Sequence, residues 1–308
     1  MLLISKNKLN ELSYLALVSL IVLVIEYYIN SLNLVKHDDL VAYENYFNIS
    51  KDLDFTSFLV LDSREFYGSL DYGFNILTYI SSGIFSFSGF LVIVYLMYSL
   101  AVAKLFYNNS LWFLGLIFPF TFYGYGVSHS AVRLTLAMTV FIVAFNARKK
   151  IYSFIAPLFH SQVIPLFLFF RISKNKLLFL ILGLIAVLFS PSFFAKLNHY
   201  FSNNNIDFLS FYKSIALFAY FSIVVYISTK ENYIFFILLL FIILLSIIGP
   251  GRIEILFYML SLLLINNKDR PHSYSIIMLS FFSTYDFLKG VLFLNDIIND
   301  GNGYGGFN

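Results

Sequence analysis

The fold class that this sequence predicts is an all-α polytopic integral membrane protein, and three observations predict it. Hydrophobic residues fill 59% of the 308 positions and charged residues 12%, where a soluble domain carries about 25% charge. The apolar residues come in runs of roughly 15–20, enough for a helix to cross a ~30 Å hydrocarbon core. These runs do not alternate polar with apolar residues, which excludes a membrane barrel. The mean hydropathy of +0.80 agrees. Disulfides and thiol chemistry are excluded, because the chain has no cysteine.

Lys6 and Lys8 precede the first span, about Glu11–Ile29. Tyr27 and Tyr28 stand where a signal peptide would need small residues, so this span reads as uncleaved. Glu26 lies near its far end, within reach of the interface. Residues 30–71 form the longest polar stretch, with Asp38, Asp39, Glu44, Asp52, Asp54, Asp62, Glu65 and Asp71 against Lys36, Lys51 and Arg64. An acidic stretch after a lysine-flanked span is expected as an external loop. Tyr72–Phe87 is half-apolar and short, and reads as an outer interfacial or re-entrant helix. Gly89–Phe106 then runs inward to Lys104, Leu111–Tyr125 outward, and Ser128–Ala147 inward to Arg148, Lys149 and Lys150.

Ile151–Phe170 carries Pro157 and Pro165 on either side of His160, which predicts a broken hairpin rather than one span. The spans beyond it are Leu177–Phe194, Phe211–Thr229, Tyr233–Ile248, Arg252–Ile265 and Tyr274–Leu294. A second external loop is expected over residues 195–210 and a disordered Gly/Asn tail over 295–308. The whole is one transmembrane domain, 1–308, of about 9–11 spanning helices. This topology places 12 of the 20 Lys and Arg inside, with only 3 of the 17 Asp and Glu, as the positive-inside rule requires. No internal repeat is visible, which disfavours a transporter.

Ionisable residues inside apolar runs are costly and mark candidate sites. Arg133 lies one turn into an inward-running helix, and Arg252 opens another after the Gly249-Pro250-Gly251 break. Both helices present their positive dipole ends outward, and two guanidiniums at two helix starts suit a phosphate. Each arginine alone reads equally well as a headgroup anchor. His129 shares a helical face with Arg133. His160, at the crest of the hairpin, reads as a base, as a phosphate-orienting group, or as a core histidine bonded to a freed carbonyl. Asp38, Asp39 and Tyr43 adjoin the first span, and Asp71 and Tyr72 open the interfacial helix. Glu254 and Tyr258 share a face behind Arg252, where Glu254 is expected to pair with an arginine. Asp286 and Lys289 are spaced to pair with each other. There is no metal-ligand cluster, nucleotide fingerprint or serine elbow, so no metal and no cofactor is expected.

These residues resemble the motifs of the EpsG family of bacterial polysaccharide polymerases, related in role to the Wzy O-antigen polymerases. Asp38-Asp39-Leu40-Val41-Ala42-Tyr43 resembles its Asp-aromatic-x-x-Tyr element, and Asp71-Tyr72-Gly73-Phe74 its acidic-x-Gly-aromatic element. Val132-Arg133-Leu134-Thr135-Leu136-Ala137 is similar to Ile-Arg-Gln-x-x-Ala, with Leu134 in place of the glutamine. Phe159-His160-Ser161-Gln162 resembles Phe-His-x-Ser, and Gly251-Arg252 with Tyr258 the late Gly-Arg element. The resemblance spans roughly residues 10–265. It implies a GT-C-like architecture in a bacterial inner membrane, with the site facing outward. The implied activity moves an undecaprenyl-pyrophosphate-linked glycan chain onto the non-reducing end of a new lipid-linked unit. His160, Arg133 and Arg252 would be catalytic. Asp38, Asp39, Tyr43, Asp71, Tyr72, Tyr125, His129, Glu254 and Tyr258 would bind substrate. Expected partners are the lipid-linked oligosaccharide, membrane lipids and a chain-length regulator, with no nucleic acid. The alternatives are a lipid-linked oligosaccharide flippase, a membrane O-acyltransferase and a ligase.

Overall fold

The computed structural model describes residues 6–31, 38–67, 71–108, 111–147, 155–160, 163, 208–230, 234, 252–266 and 273–300. Among them every regular element is helical. Among the described residues four helices are long and apolar enough to cross a membrane: Asn7–Ser31, Phe87–Asn108, Tyr212–Thr229 and Tyr274–Asn295. Val132–Asn146 and Glu254–Ile265 are shorter apolar helices. The protein is a membrane-embedded helical protein. It divides into two compact units, residues 1–162 with 280–308, and residues 163–279.

The first unit is built on α1 (Lys6–Ser31), α6 (Phe87–Asn108) and α9 (Val132–Asn146). Along α1 a stripe of Tyr14, Val18, Val22, Ile25 and Ile29 is buried, at the three- and four-residue spacing of one helical face. Leu17, Leu20, Leu23 and Val24 on the other faces are exposed. The start of α1 meets the end of α6: Lys104 Nζ is 2.8 Å from Glu11 Oε1, and Tyr14 Oη donates to the Ala103 carbonyl at 3.3 Å. The two helices are therefore antiparallel. Helix α9 runs with α6, since Tyr95 packs on His129, before α9, and Asn146 at its end donates to the Ala101 carbonyl.

Between α6 and α9 the chain climbs back as a broken helix rather than the continuous span expected over Leu111–Tyr125. Helix α7 (Trp112–Ile117) passes into a 3₁₀ turn at Phe118–Phe120, an extended Thr121, a π turn at Phe122–Gly126 and α8 (Val127–Ser130). Pro119 cannot donate to a helical ladder, and Thr121 caps the next turn by accepting the Gly124 N–H at 2.9 Å. Gly290 of the last helix lies against this break. A Cβ there would stand 2.3 Å from the Phe120 carbonyl oxygen, so the main chains pack without a side chain between them.

Residues 30–71, expected as a loop, carry three helices: α2 (Asp38–Asp52), α3 (Phe55–Val60) and α4 (Arg64–Tyr67). On α2, Leu40, Tyr43, Tyr46, Phe47 and Ser50 are buried on one face. Asp54 caps α3 by accepting the Ser57 N–H at 2.7 Å. Helix α5 (Tyr72–Ser82) follows, where the interfacial helix was expected. A single turn, α10 (Ala156–Phe159), ends at His160 and packs on α5 and α9. The rest of the expected hairpin lies outside the described residues, as do the spans at 177–194 and 235–248.

In the second unit α11 (Phe208–Thr229) packs on α12 (Arg252–Asn266). The last helix, α13 (Ser273–Asp300), contributes its first residues to this unit. Its helical course through Asp300 also occupies the start of the tail expected at 295–308, whose last eight residues lie outside the described residues.

Candidate functional site

Arg133 sits in the first turn of α9 and is 5% exposed. Its Nη1 lies 2.6 Å from Asp71 Oδ2, and its Nε donates to Tyr43 Oη at 3.1 Å. Its Nη2 reaches the Tyr67 carbonyl at 3.4 Å. The guanidinium carbon is 4.5 Å from the centre of the Tyr67 ring and 5.4 Å from that of Tyr43, within cation–π range. Helices α2, α4, α5 and α9 thus each supply one part of this cation's surroundings. His160 joins from α10, with Nδ1 3.5 Å from the same Asp71 Oδ2.

Asp71 is 3% exposed and precedes the first residue of α5. Its side chain does not cap that helix; it is turned to Arg133 instead, while its carbonyl accepts the Asn75 N–H at 2.9 Å. Tyr67 donates to Asn75 Oδ1, and Asn75 Nδ2 donates to Ser63 Oγ at 3.0 Å. Burial pushes the Tyr67 phenol well above its ordinary value, so the ring stays neutral beside the guanidinium. The grouping is charge-balanced. Arg133, expected as a phosphate clamp, already holds a carboxylate.

A second buried pair lies beside it. His129, on α8, brings Nε2 to 2.7 Å from Glu26 Oε1 on α1. Its Nδ1 is 3.0 Å from the Tyr125 carbonyl, and the Tyr125 ring stacks on the imidazole at 4.4 Å. Glu26, expected to reach the interface, is 4% exposed. It lies within the same stripe of α1 that buries Val22 and Ile29.

Of the residues expected to form a site, Arg133, Asp71, Tyr43 and His160 come together, and His129 and Tyr125 form the neighbouring pair with Glu26. Tyr72 is 63% exposed, with its ring away from the buried grouping. Asp39 is half-buried in the first turn of α2, one turn before Tyr43. Asp38 opens α2, and Arg252 opens α12; their side chains lie outside what is described. Glu254 and Tyr258 belong to the second unit. Glu254 accepts from Ser214, and Tyr258 packs on Phe221; the pairing of Glu254 with an arginine lies outside what is described. Asp286 Oδ1 accepts the Tyr123 N–H at 3.4 Å, and Lys289 Nζ stands 3.8 Å above the Phe122 ring. The sequence reading missed Tyr67 and Asn75, and gave Glu26 no role. For Glu26 the signal was its register with Val22 and Ile29. Among the described residues no three His, Asp or Glu side chains gather as metal ligands.

Comparison with family models, curated proteins and solved structures finds no match to this chain.

Proposed function

We propose that the chain is a polymerase of cell-surface polysaccharide that uses an undecaprenyl-pyrophosphate-linked donor. The observation that carries the reading is the buried grouping of Arg133, Asp71, Tyr43 and His160 at one end of the bundle, in the motifs that resemble the EpsG family. In this reaction the acceptor hydroxyl oxygen bonds to the anomeric carbon of the growing chain. The anomeric C–O bond breaks, and undecaprenyl pyrophosphate leaves with the bonding pair. The hydroxyl proton passes to His160. Arg133 offsets charge on the leaving group once the pyrophosphate takes the place of Asp71 at its guanidinium. Cleavage of the glycosyl–pyrophosphate C–O bond supplies the driving force, so the reading calls for no nucleotide. It also puts the Arg133 end of the bundle outside, because Lys8 and Lys104 mark the opposite end and basic residues stay inside.

The test is polymer length made by the purified protein in vesicles supplied with lipid-linked repeat units from its native host. Arg133→Lys is expected to lose roughly 10²-fold or more in rate while still inserting, because an ammonium cannot replace the planar fork. Polymerisation at the wild-type rate would leave Arg133 as a structural partner of Asp71. Arg252→Lys tests the second arginine in the same assay.

The Glu26–His129 pair favours a second reading, a proton-coupled flippase for the same lipid-linked oligosaccharide. Buried acid–base pairs in spans carry protons in transporters. Collapsing the proton gradient stops a flippase and leaves vesicle-based polymerisation untouched.

A further inference from the structure

We propose that a groove between α6 and α9 holds the deep part of the isoprenoid chain of a lipid-linked substrate. The inference rests on that substrate, which the polymerase and flippase readings share. The groove measures about 260 Å³ and is lined by Met97 of α6, by Val140, Val143, Ala144 and Ala147 of α9, and by Ile155. Its one hydroxyl, that of Thr139, donates back to the Thr135 carbonyl at 2.8 Å, so the lining side chains present an apolar surface. The space exists because α9 turns alanines toward α6 here, while Asn146 ties the two helices by donating to the Ala101 carbonyl at 3.5 Å. Met97, Val143 and Ile155 are exposed, so the groove opens sideways, where the hydrocarbon of the bilayer lies.

Depth and position say which chain fits. Val140, Ala144 and Ala147 lie on the same face of α9 as Arg133, at the three- and four-residue spacing of a helix. The groove begins about 10 Å from Arg133 along the axis and ends about 21 Å from it. Arg148, Lys149 and Lys150 follow Ala147, and such a basic cluster sits at the membrane interface. In a ~30 Å hydrocarbon core the groove therefore lies beyond the midplane as seen from Arg133. Helix α10 bridges the two. Ile155 lines the groove, and His160 lies 3.5 Å from Asp71, the partner of Arg133. Ile155 and Leu158 are exposed, and Leu158 meets Gly73, next to the exposed Tyr72. An apolar track thus runs from α5, beside the site, to the groove. A phospholipid in the leaflet at Arg133 ends near the midplane, short of the groove. A chain that reaches from the site into it must be longer than one leaflet, as a polyprenyl chain is.

The test is photolabelling of the purified protein in lipid nanodiscs with two diazirine-bearing polyprenyl pyrophosphates. One carries the label beside the pyrophosphate and the other deep in the chain, and mass spectrometry reads the attachment sites. The deep label is expected on the segments holding Met97 and Val143, and the head-side label on α5 or α10. Excess undecaprenyl pyrophosphate should remove both, and excess phosphatidic acid neither. Val143→Trp fills the groove from its exposed edge. It should lower the deep labelling about fivefold and leave the head-side labelling as it was. The change is modest because the tail exchanges one apolar surrounding for another and gains only packing. If Val143→Trp does not insert, Ala147→Phe at the end of α9 should give the same loss. Deep labelling that phosphatidic acid removes, or that the groove variants leave unchanged, overturns the proposal, as does a deep label found mainly on the exposed leucines of α1. Groove labelling as stated, in a protein that makes no polymer, leaves the groove in place and removes the polymerase reading.

Discussion

At the scale of single residues, the two buried pairs differ in how the basic partner can respond when its acid is lost. The Tyr125 carbonyl can only accept, so His129 Nδ1 carries a hydrogen. Nε2 stands 2.7 Å from Glu26 Oε1. Glu26→Leu should cost about 1–3 kcal/mol rather than more, because the imidazole can shed its charge when its partner goes. Arg133 has no such escape, so Asp71→Leu should cost about 3–5 kcal/mol. Thermal unfolding in detergent measures both, and equal losses would contradict this reading of the two pairs. Adding His129→Leu to Glu26→Leu should recover much of the smaller loss. Arg133, His129 and His160 were legible in the sequence because an ionisable group in an apolar run is conspicuous. Their partners were not. Asp71 is one of eight carboxylates in its stretch, and nothing local distinguishes the one that a cation 62 residues later will hold.

At the scale of elements, α5 is amphipathic in reverse. Asn75, Thr78, Ser81 and Ser82 are buried with Phe74, while Tyr72, Ile76 and Ile80 are exposed. A helix of a soluble protein would turn the other way. This orientation suits a helix with lipid on its outer side and the polar Tyr67–Asn75–Ser63 links on its inner side. Ile80→Trp, made in a Trp112→Phe background that removes the sole native tryptophan, should be quenched by brominated lipid. Quenching by aqueous iodide instead would place this face in water. The element was legible as an interfacial helix from its half-apolar composition. Helix α2 was not, because its acidic residues set the average and hid Leu40, Tyr43 and Phe47 at helical spacing. The break after α7 was also missed: Pro119 was visible, but the capping by Thr121 and the close seat of Gly290 depend on contacts that no window of sequence contains.

At the scale of the whole molecule, the first unit has two unlike ends. Lys8, Glu11 and Lys104 mark one, and the Arg133 and His129 groupings mark the other. Lys8→Cys and Lys51→Cys should therefore react with an impermeant maleimide from opposite sides, in a chain that has no cysteine of its own. Labelling of both from one side would reverse the direction assigned to α1 or move α2 to the other face. The order of these groupings along the chain matters during synthesis, which delivers the N-terminal segments first. Glu26 enters the bilayer with α1, and Asp71 is in place before α9 exists. Each acid precedes its base, so every nascent chain passes through a stage in which two carboxylates wait without their cations. Emergence of residues 129–133 ends that stage for both at once. A ribosome stalled before this point leaves a chain whose first span carries Glu26 with Asn30, one turn on in the same helix, in place of its histidine.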